Sequence, residues 1–486
     1  MSMKGCLSLV NVSRFINFLW KLVFILFPYT SFPMPFFRAT VSPLAIIPLC
    51  LLSVLQILLM MQNGLIRARL LWHFLFVVCF TVITSTIMVL GLEQQVWKGS
   101  TGVKELLISA TTLLMAVIAL FAGCTIGRRL ENINNFVTLV FIGYLPPMLF
   151  GLLHVTSSYL LGGSLMALLK TIHGLVSQGG LGYGRISLLT LEPSWAANQL
   201  VSFYIPVFLA IYIYRDELPT GTRKISLVGL VTGVFLTVFT LSAGGTLTLA
   251  LIFAYVLLTQ RSLLPKGRFA VAASILLLPI IVLIILSSPL VETGEAIFVR
   301  LRHVIGSILV SGRGYYDGSA VVRSTYWKTG VNIFLEYPLF GVGWGNAGFY
   351  FPKFIGYGRM FDEVANYLSA SNNLIPNIKN IYVRILAESG ILGFLLFLSF
   401  FVCVWLKTKS KTCDSLEVRI VKLFVRLSII AWISEGMSFD TFGFVYPWVQ
   451  IGFLDSLLNR SVVPQGVSRR SKPHWCGSRR MVASHE

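Results

Sequence analysis

Apolar residues gather in long uninterrupted runs, and polar residues collect in short clusters between them. A helix needs about 20 apolar residues to cross the ~30 Å hydrocarbon core of a bilayer. Runs of that order extend over Phe15–Phe32, Ala39–Gln62, Leu70–Leu92, Lys104–Ile126, Asn135–Leu161 and Ala197–Tyr214. The stretch Ile225–Gln260 is too long for one crossing and breaks at Ser242-Ala243-Gly244-Gly245, which makes it two. Phe269–Val291, Ile385–Leu406, Ile420–Glu435 and Gly443–Leu458 complete the set. The pattern predicts an all-α polytopic membrane protein of about twelve transmembrane helices. Composition agrees, with 56% apolar and 12% charged residues, where a soluble domain carries about 25% charged residues. Lys21 interrupts the first run and no small-x-small cleavage site follows, so it reads as a helix and not as a secretory signal.

The net charge of +20 is distributed by side. Lys4 and Arg14, Arg67 and Arg69, Arg128 and Arg129, Arg215 with Arg223 and Lys224, Arg261 with Lys266 and Arg268, and Lys407 through Arg419 all flank alternate loops. The intervening short loops hold little more than Arg38, Lys98 and Lys104. The positive-inside rule then puts both termini in the cytoplasm of a cell with this chain in its inner membrane. The basic tail, residues 459–486, reads as a membrane-surface anchor and not as a nucleic-acid arm. Cys6, Cys413 and Cys476 fall on the cytoplasmic side and the other four cysteines inside apolar runs, which speaks against disulfides.

The chain divides into helices one to five (1–161), a first long external loop (162–196), helices six to nine (197–291), a large external loop (292–384), helices ten to twelve (385–458) and the tail. Both long loops are rich in Tyr, Trp, Phe and Leu, a composition that folds, and we expect short interfacial helices in them. In Ser319–Tyr337 the residues Arg323, Trp327, Val331 and Leu335 recur every fourth position and define one helix face. Pro338 stops that helix and a glycine-dense turn, Leu339 to Asn346, follows. In the large loop Arg300, Arg302, Arg313, Arg323, Lys328, Lys353, Arg359, Lys379 and Arg384 outnumber the acids. Arginine holds phosphate oxygens bidentately and stays charged when partly desolvated, so this excess suits an anionic headgroup such as a diphosphate.

These same residues carry a resemblance. Arg323-Ser-Thr-Tyr-Trp327, then Tyr337-Pro-Leu-Phe-Gly341-Val-Gly343, then Asn380-Ile-Tyr-Val-Arg-Ile-Leu-Ala-Glu388-Ser-Gly390-Ile-Leu-Gly393 resembles the large-loop signature of the O-antigen polymerase and O-antigen ligase superfamily. Arg185-Ile-Ser-Leu-Leu-Thr-Leu-Glu192-Pro193 is similar to the Arg…Glu-Pro stretch of the other external loop in polymerases. The break at Leu241–Gly245 sits where relatives carry a motif at an outer helix end. One departure stands out: ligases have a histidine, the proposed base, directly before the asparagine, and this chain has Lys379 there. A lysine near its reference pKa of ~10.4 is protonated and accepts no proton, which shifts the resemblance toward polymerases.

The resemblance implies glycan transfer at the outer face from a polyprenyl-diphosphate-linked oligosaccharide to another lipid-linked unit, yielding O-antigen, capsule or exopolysaccharide. It implies no nucleotide sugar, no cofactor and no dedicated metal, with membrane lipids, a chain-length regulator and a flippase as partners and no nucleic acid. The six histidines show no metal-ligand spacing and no Asp-x-Asp motif is present. Arginines must then balance the leaving diphosphate: Arg323 and Arg185 foremost, with Arg300, Arg302, Arg313, Lys379 and Asn380 as further substrate contacts. Glu192, beside Pro193 at the mouth of helix six, is the candidate general base. Glu388 is a substrate-binding candidate that also suits a helix N-terminus. His173 reads as interfacial. Two other functions fit the architecture: ligase-type transfer to a lipid or protein acceptor, and a transporter or glycolipid flippase, against which the scarcity of ionisable residues within the runs counts.

Overall fold

The computed structural model describes residues 3–34, 40–63, 68–91, 96–130, 132–161, 163–260, 318–355, 362–369, 371, 373–410 and 415–460. The ninth apolar run, and with it Arg300, Arg302 and Arg313, lies outside them. The other eleven runs are helical: Met3–Leu26, Ile46–Asn63, Arg69–Gly91, Gly102–Arg129, Ile133–Leu161, Pro193–Ile213, Thr220–Phe239, Ala243–Thr259, Ile381–Lys409, Leu416–Glu435 and Val445–Arg460. Among the described residues six helices are long and apolar enough to cross a membrane, and Ile46–Met61 and Ala243–Thr259 are apolar but shorter. The protein is an all-α membrane protein. The first helix ends at Leu26, short of the apolar run that continues to Phe32, because the run contains Pro28 and is followed by Pro33.

Polarity is inverted as a bilayer requires. Phe18, Phe76, Ile83, Leu107, Leu145 and Leu398 face outward, and the helix Pro193–Ile213 is enclosed nearly all round. Where two helices press together most closely, Gly123 and Gly127 of one meet Val449 and Phe453 of the other. A Cβ on Gly123 would lie 2.4 Å from the Val449 carbonyl oxygen. Small residues one turn apart allow this contact, and dispersion between close backbones holds it where no hydrophobic drive exists.

Cations gather at one end of the bundle. Lys407 pairs with the fully buried Asp455, which also accepts the Leu70 N–H at 3.0 Å. Arg129 reaches Ser13 and Asn17, Arg419 reaches Glu217, and Arg426 donates to Thr408 O and Tyr255 Oη. Thr408 O, in the last turn of Ile381–Lys409, is a helix-end carbonyl that needs such a donor.

The long loops cap the opposite end. The first holds the helix Gly163–Val176 and folds back so that His173, 1% exposed, lies with its ring nitrogens 2.9 Å from Thr190 O and 3.1 Å from Gly179 O. It is a core residue and not an interfacial one, and burial holds its pKa below the ordinary imidazole value. The second loop contributes the helix Gly318–Glu336 over a small core of its own that includes Tyr326, Ile333, Val342, Phe351 and Ile378. The helix is where the periodicity puts it, and the face it buries is not the one through Val331 and Leu335. Val322, Tyr326 and Ile333 are buried, while Val331 is 40% and Leu335 68% exposed. Two adjacent stripes of this helix are apolar, and the loop core takes the one that ends on Ile333.

The glycine-dense turn is stitched onto a break in Ile381–Lys409. Gly390 leaves helical geometry at φ +63°. The freed groups pair with the turn: Val342 and Gly343 N–H donate to Ala387 and Glu388 O at 3.0 Å each, and Ile391 N–H donates to Pro338 O at 2.8 Å. A Cβ on Gly390 would lie 2.2 Å from Leu339 O. Gly390→Ala combines that clash with a disfavoured φ, and we expect it to lose at least ~2 kcal/mol, read as a lower melting temperature and less monodisperse protein in detergent.

Gly221 lies in the first turn of Thr220–Phe239 and Gly180 in the first long loop, which bonds the opposite end of that helix through Ile186 and Arg185; both glycines have open space around them. In a cysteine-free background, Gly180→Cys should react with an impermeant thiol reagent on whole cells and Gly221→Cys only after permeabilisation. The reverse pattern would invert the orientation read from the charges.

Candidate functional site

The start of Ile381–Lys409 is the best-built part of the loop end. Asn380, 4% exposed, caps it by accepting the Tyr382 and Val383 N–H groups at 3.0 and 3.1 Å. One turn on, Arg384 is buried and its Nε donates to Glu388 Oε2 at 2.8 Å. The rest of its guanidinium donates to the Asp440 carbonyl and to Ser109 Oγ, and the plane sits 4.8 Å from the Trp344 ring. Glu388 also accepts from the Gly345 N–H. Asn380 and Glu388, expected as substrate contacts, thus have their polar atoms engaged inside the protein, where they hold the helix start and the Pro338–Asn346 turn together.

Lys379 stands just outside that start, at φ +53°. Its backbone N–H donates to Asp440 Oδ2 at 3.1 Å. Its ammonium lies 5.0 Å from the Tyr326 ring and 5.3 Å from the Tyr367 ring. The side chain tethers two helices of the large loop through cation–π attraction, which is worth roughly 0.5–1 kcal/mol per ring at exposed sites.

The segment joining Leu416–Glu435 to Val445–Arg460 proves to be the meeting point. Gly436 O accepts the Ile381 N–H, Asp440 takes Lys379 and Arg384, and Ser438 Oγ accepts Arg323 Nη1 at 3.3 Å. Phe439 and Phe444 pack edge-on against Trp195, three residues into the helix that Glu192 precedes. Glu435, 2% exposed, accepts from Thr248 Oγ1 at 3.0 Å and from Asn198, whose own oxygen takes the Tyr446 hydroxyl. Gly244 lies over this carboxylate, and a Cβ there would stand 3.4 Å from both Glu435 Oε1 and Ser438 Oγ. The Ser242–Gly245 break therefore packs on the connection that receives Arg323.

Arg185 reaches the same neighbourhood from the first loop: its Nε donates to Thr240 O at 3.1 Å, at the end of Thr220–Phe239 and just before the break. Arg185 and Arg323, from separate loops, thus flank one short stretch of backbone, and both side chains are partly exposed. Glu192 is exposed at the N-terminus of Pro193–Ile213, and its carboxylate accepts the Ser194 hydroxyl.

Sequence reasoning passed over Asp440, Ser438, Asn198 and Arg384 as partners. Residues 436–444 form a connection of ordinary length, and nothing in their spacing marks them. The available signal was Glu435, an ionisable residue at the end of an apolar run. Removing one member of the Arg384–Glu388 pair strands the other in a buried place, which costs about 3–5 kcal/mol. Arg384→Met should show that loss as a falling melting temperature, while Arg384→Met with Glu388→Leu should recover part of it.

Residues 228–398 match the family described as O-antigen ligase. No curated protein matches the chain. The matched stretch contains the Gly244 break, Arg323, the Pro338–Asn346 turn and the Asn380 helix start, all of which meet at the loop end, and the chemistry of this family is glycan transfer. Residues 228–398 are thus similar to the O-antigen ligase family, which supports placing this part of the chain in the O-antigen polymerase and ligase superfamily.

Proposed function

We propose that the protein polymerises lipid-linked oligosaccharide repeat units at the outer face of the inner membrane. The carrying observation is that two partly exposed arginines from different loops, Arg185 and Arg323, donate to Thr240 O and Ser438 Oγ on either side of one helix break. This contrasts with Arg384, whose guanidinium is enclosed. A polyprenyl diphosphate lying over the break would place its phosphates between the two. Charge grows on the diphosphate as it leaves, and fixed guanidinium donors favour that state more than the bound substrate.

In the proposed step an acceptor hydroxyl oxygen bonds to the anomeric carbon of the donor glycan. The bond from that carbon to the diphosphate oxygen breaks, and polyprenyl diphosphate departs with the electron pair. The hydroxyl proton passes to Glu192, which is exposed and stands three residues before Trp195, the ring that packs on the Ser438 connection. Lys379 takes no part in proton transfer, being held between two tyrosine rings. The acceptor is another lipid-linked unit, a reading supported by the lysine in the ligase histidine's place. Ligase-type transfer to a lipid or protein acceptor is the second reading, supported by the description of the matching family.

Protein reconstituted in vesicles with lipid-linked repeat units, isolated from cells lacking it, should convert them to a ladder of longer lipid-linked glycans. Transfer only to an added lipid or protein acceptor would instead establish the ligase reading. Arg185→Ala and Arg323→Ala should each lose at least ~100-fold in rate while remaining folded. Lysine should rescue either poorly, since an ammonium lacks the planar two-donor fork. Full activity in both Ala variants would remove them from the site.

A further inference from the structure

The exposed stripe of Gly318–Glu336 carries a groove on the protein surface. The groove is about 290 Å³ and is lined by Ser324, Trp327, Lys328, Val331 and Asn332. It begins one residue beyond Arg323 and runs along the same helix for two turns. Resting on the proposed function, we infer that this groove is a saccharide subsite, which seats a sugar ring of the lipid-linked substrate next to the diphosphate held at Arg323.

Three observations select a sugar. The lining mixes one large aromatic face with an amine, an amide and a hydroxyl, which is the combination that a ring with one apolar face and several hydroxyls requires. Trp327 is also packed against the loop core below it, so its ring is a fixed platform, and little ordering entropy is lost on binding. Its indole N–H is shielded and has no hydrogen-bond partner among the described residues. Asn332 is anchored at 3.3 Å by Nδ2 to Phe354 O, which leaves its carbonyl oxygen as an acceptor in a fixed place.

Position supplies the rest. Arg323 points to Ser438 from the same helix whose next turn carries Trp327. A diphosphate contacted by Arg323 would therefore have its first sugars within one or two helical turns, ~5–11 Å at 5.4 Å per turn. An isoprenoid chain is the competing occupant, given that Leu335 and Leu339 are exposed beyond the groove. Ser324, Lys328 and Asn332 around the tryptophan favour the sugar.

The test compares two lipids on the full-length protein in nanodiscs: the lipid-linked repeat unit isolated from cells lacking this protein, and polyprenyl diphosphate bearing no sugar. Trp327→Ala should weaken binding of the glycan-bearing lipid about tenfold and leave the sugarless lipid unchanged. Trp327→Phe should retain most of the affinity, and an unchanged melting temperature in both variants establishes that the fold is intact. Equal weakening for the two lipids would assign the groove to the isoprenoid chain and overturn the proposal. No effect on either, in protein that binds both, would also overturn it. Wild-type protein that binds neither lipid would instead reject the underlying polymerase reading. Should Trp327→Ala fail to fold, Asn332→Ala and Lys328→Met on the exposed rim must show the same selectivity for the glycan-bearing lipid, and their indifference would sink the subsite.

Discussion

A guanidinium removed from water must have its N–H groups satisfied, and that requirement organises the loop end of this protein. Arg384 meets it with donors reaching three separate parts of the chain: Glu388 on its own helix, the carbonyl of Asp440 on the last connection, and Ser109 on a helix nearly 300 residues earlier. Each partner is itself placed by something else. Glu388 is anchored by Gly345 of the turn that also stitches the Gly390 break, and Asp440 receives the Lys379 N–H. Neutralising Arg384 therefore disturbs the relation between loops as well as one contact. In hydrocarbon-like surroundings the alternative, an unpaired buried charge, is costly enough to make this arrangement close to all-or-none.

The helices were legible because their signal is long and repetitive. Each apolar run among the described residues became a helix, and Pro28, Pro193 and Pro338 account for where particular ones begin or end. Which face a helix buries was harder. In Gly318–Glu336 the stripes through Tyr326 and through Trp327 are both apolar enough to pass, and the choice rests with a loop core assembled from residues up to Ile378. Local periodicity contains no information about that distant partner. The same limit applies to the site. Arg185 and Arg323 could be nominated from residue type and resemblance, whereas Ser438 and Asp440 acquire meaning only once the last connection folds against both loops.

Cation placement separates two uses of the same residue type. At the basic end Arg426 and Arg129 donate to carbonyl, hydroxyl or amide oxygens of neighbouring helices, and Lys407 neutralises Asp455. These side chains fasten helices to each other. At the loop end Arg384 does likewise, but Arg185 and Arg323 are partly exposed, with Nε and Nη1 respectively fixed to a backbone carbonyl and to a hydroxyl. Arg185 and Arg323 thus differ from Arg384 in exposure, and the charge of Arg323 also acts on the Glu435 carboxylate.

Lys379 occupies the position where the resemblance implies a histidine in ligases. The residue precedes the asparagine that caps a membrane helix, and its N–H donates to a carboxylate on the last connection. What differs is the side chain. The ammonium lies against the Tyr326 and Tyr367 rings, an attraction that ties two helices of the large loop together. The helix bearing Arg323 also carries Tyr326 one turn later, so this contact helps to set where that arginine stands.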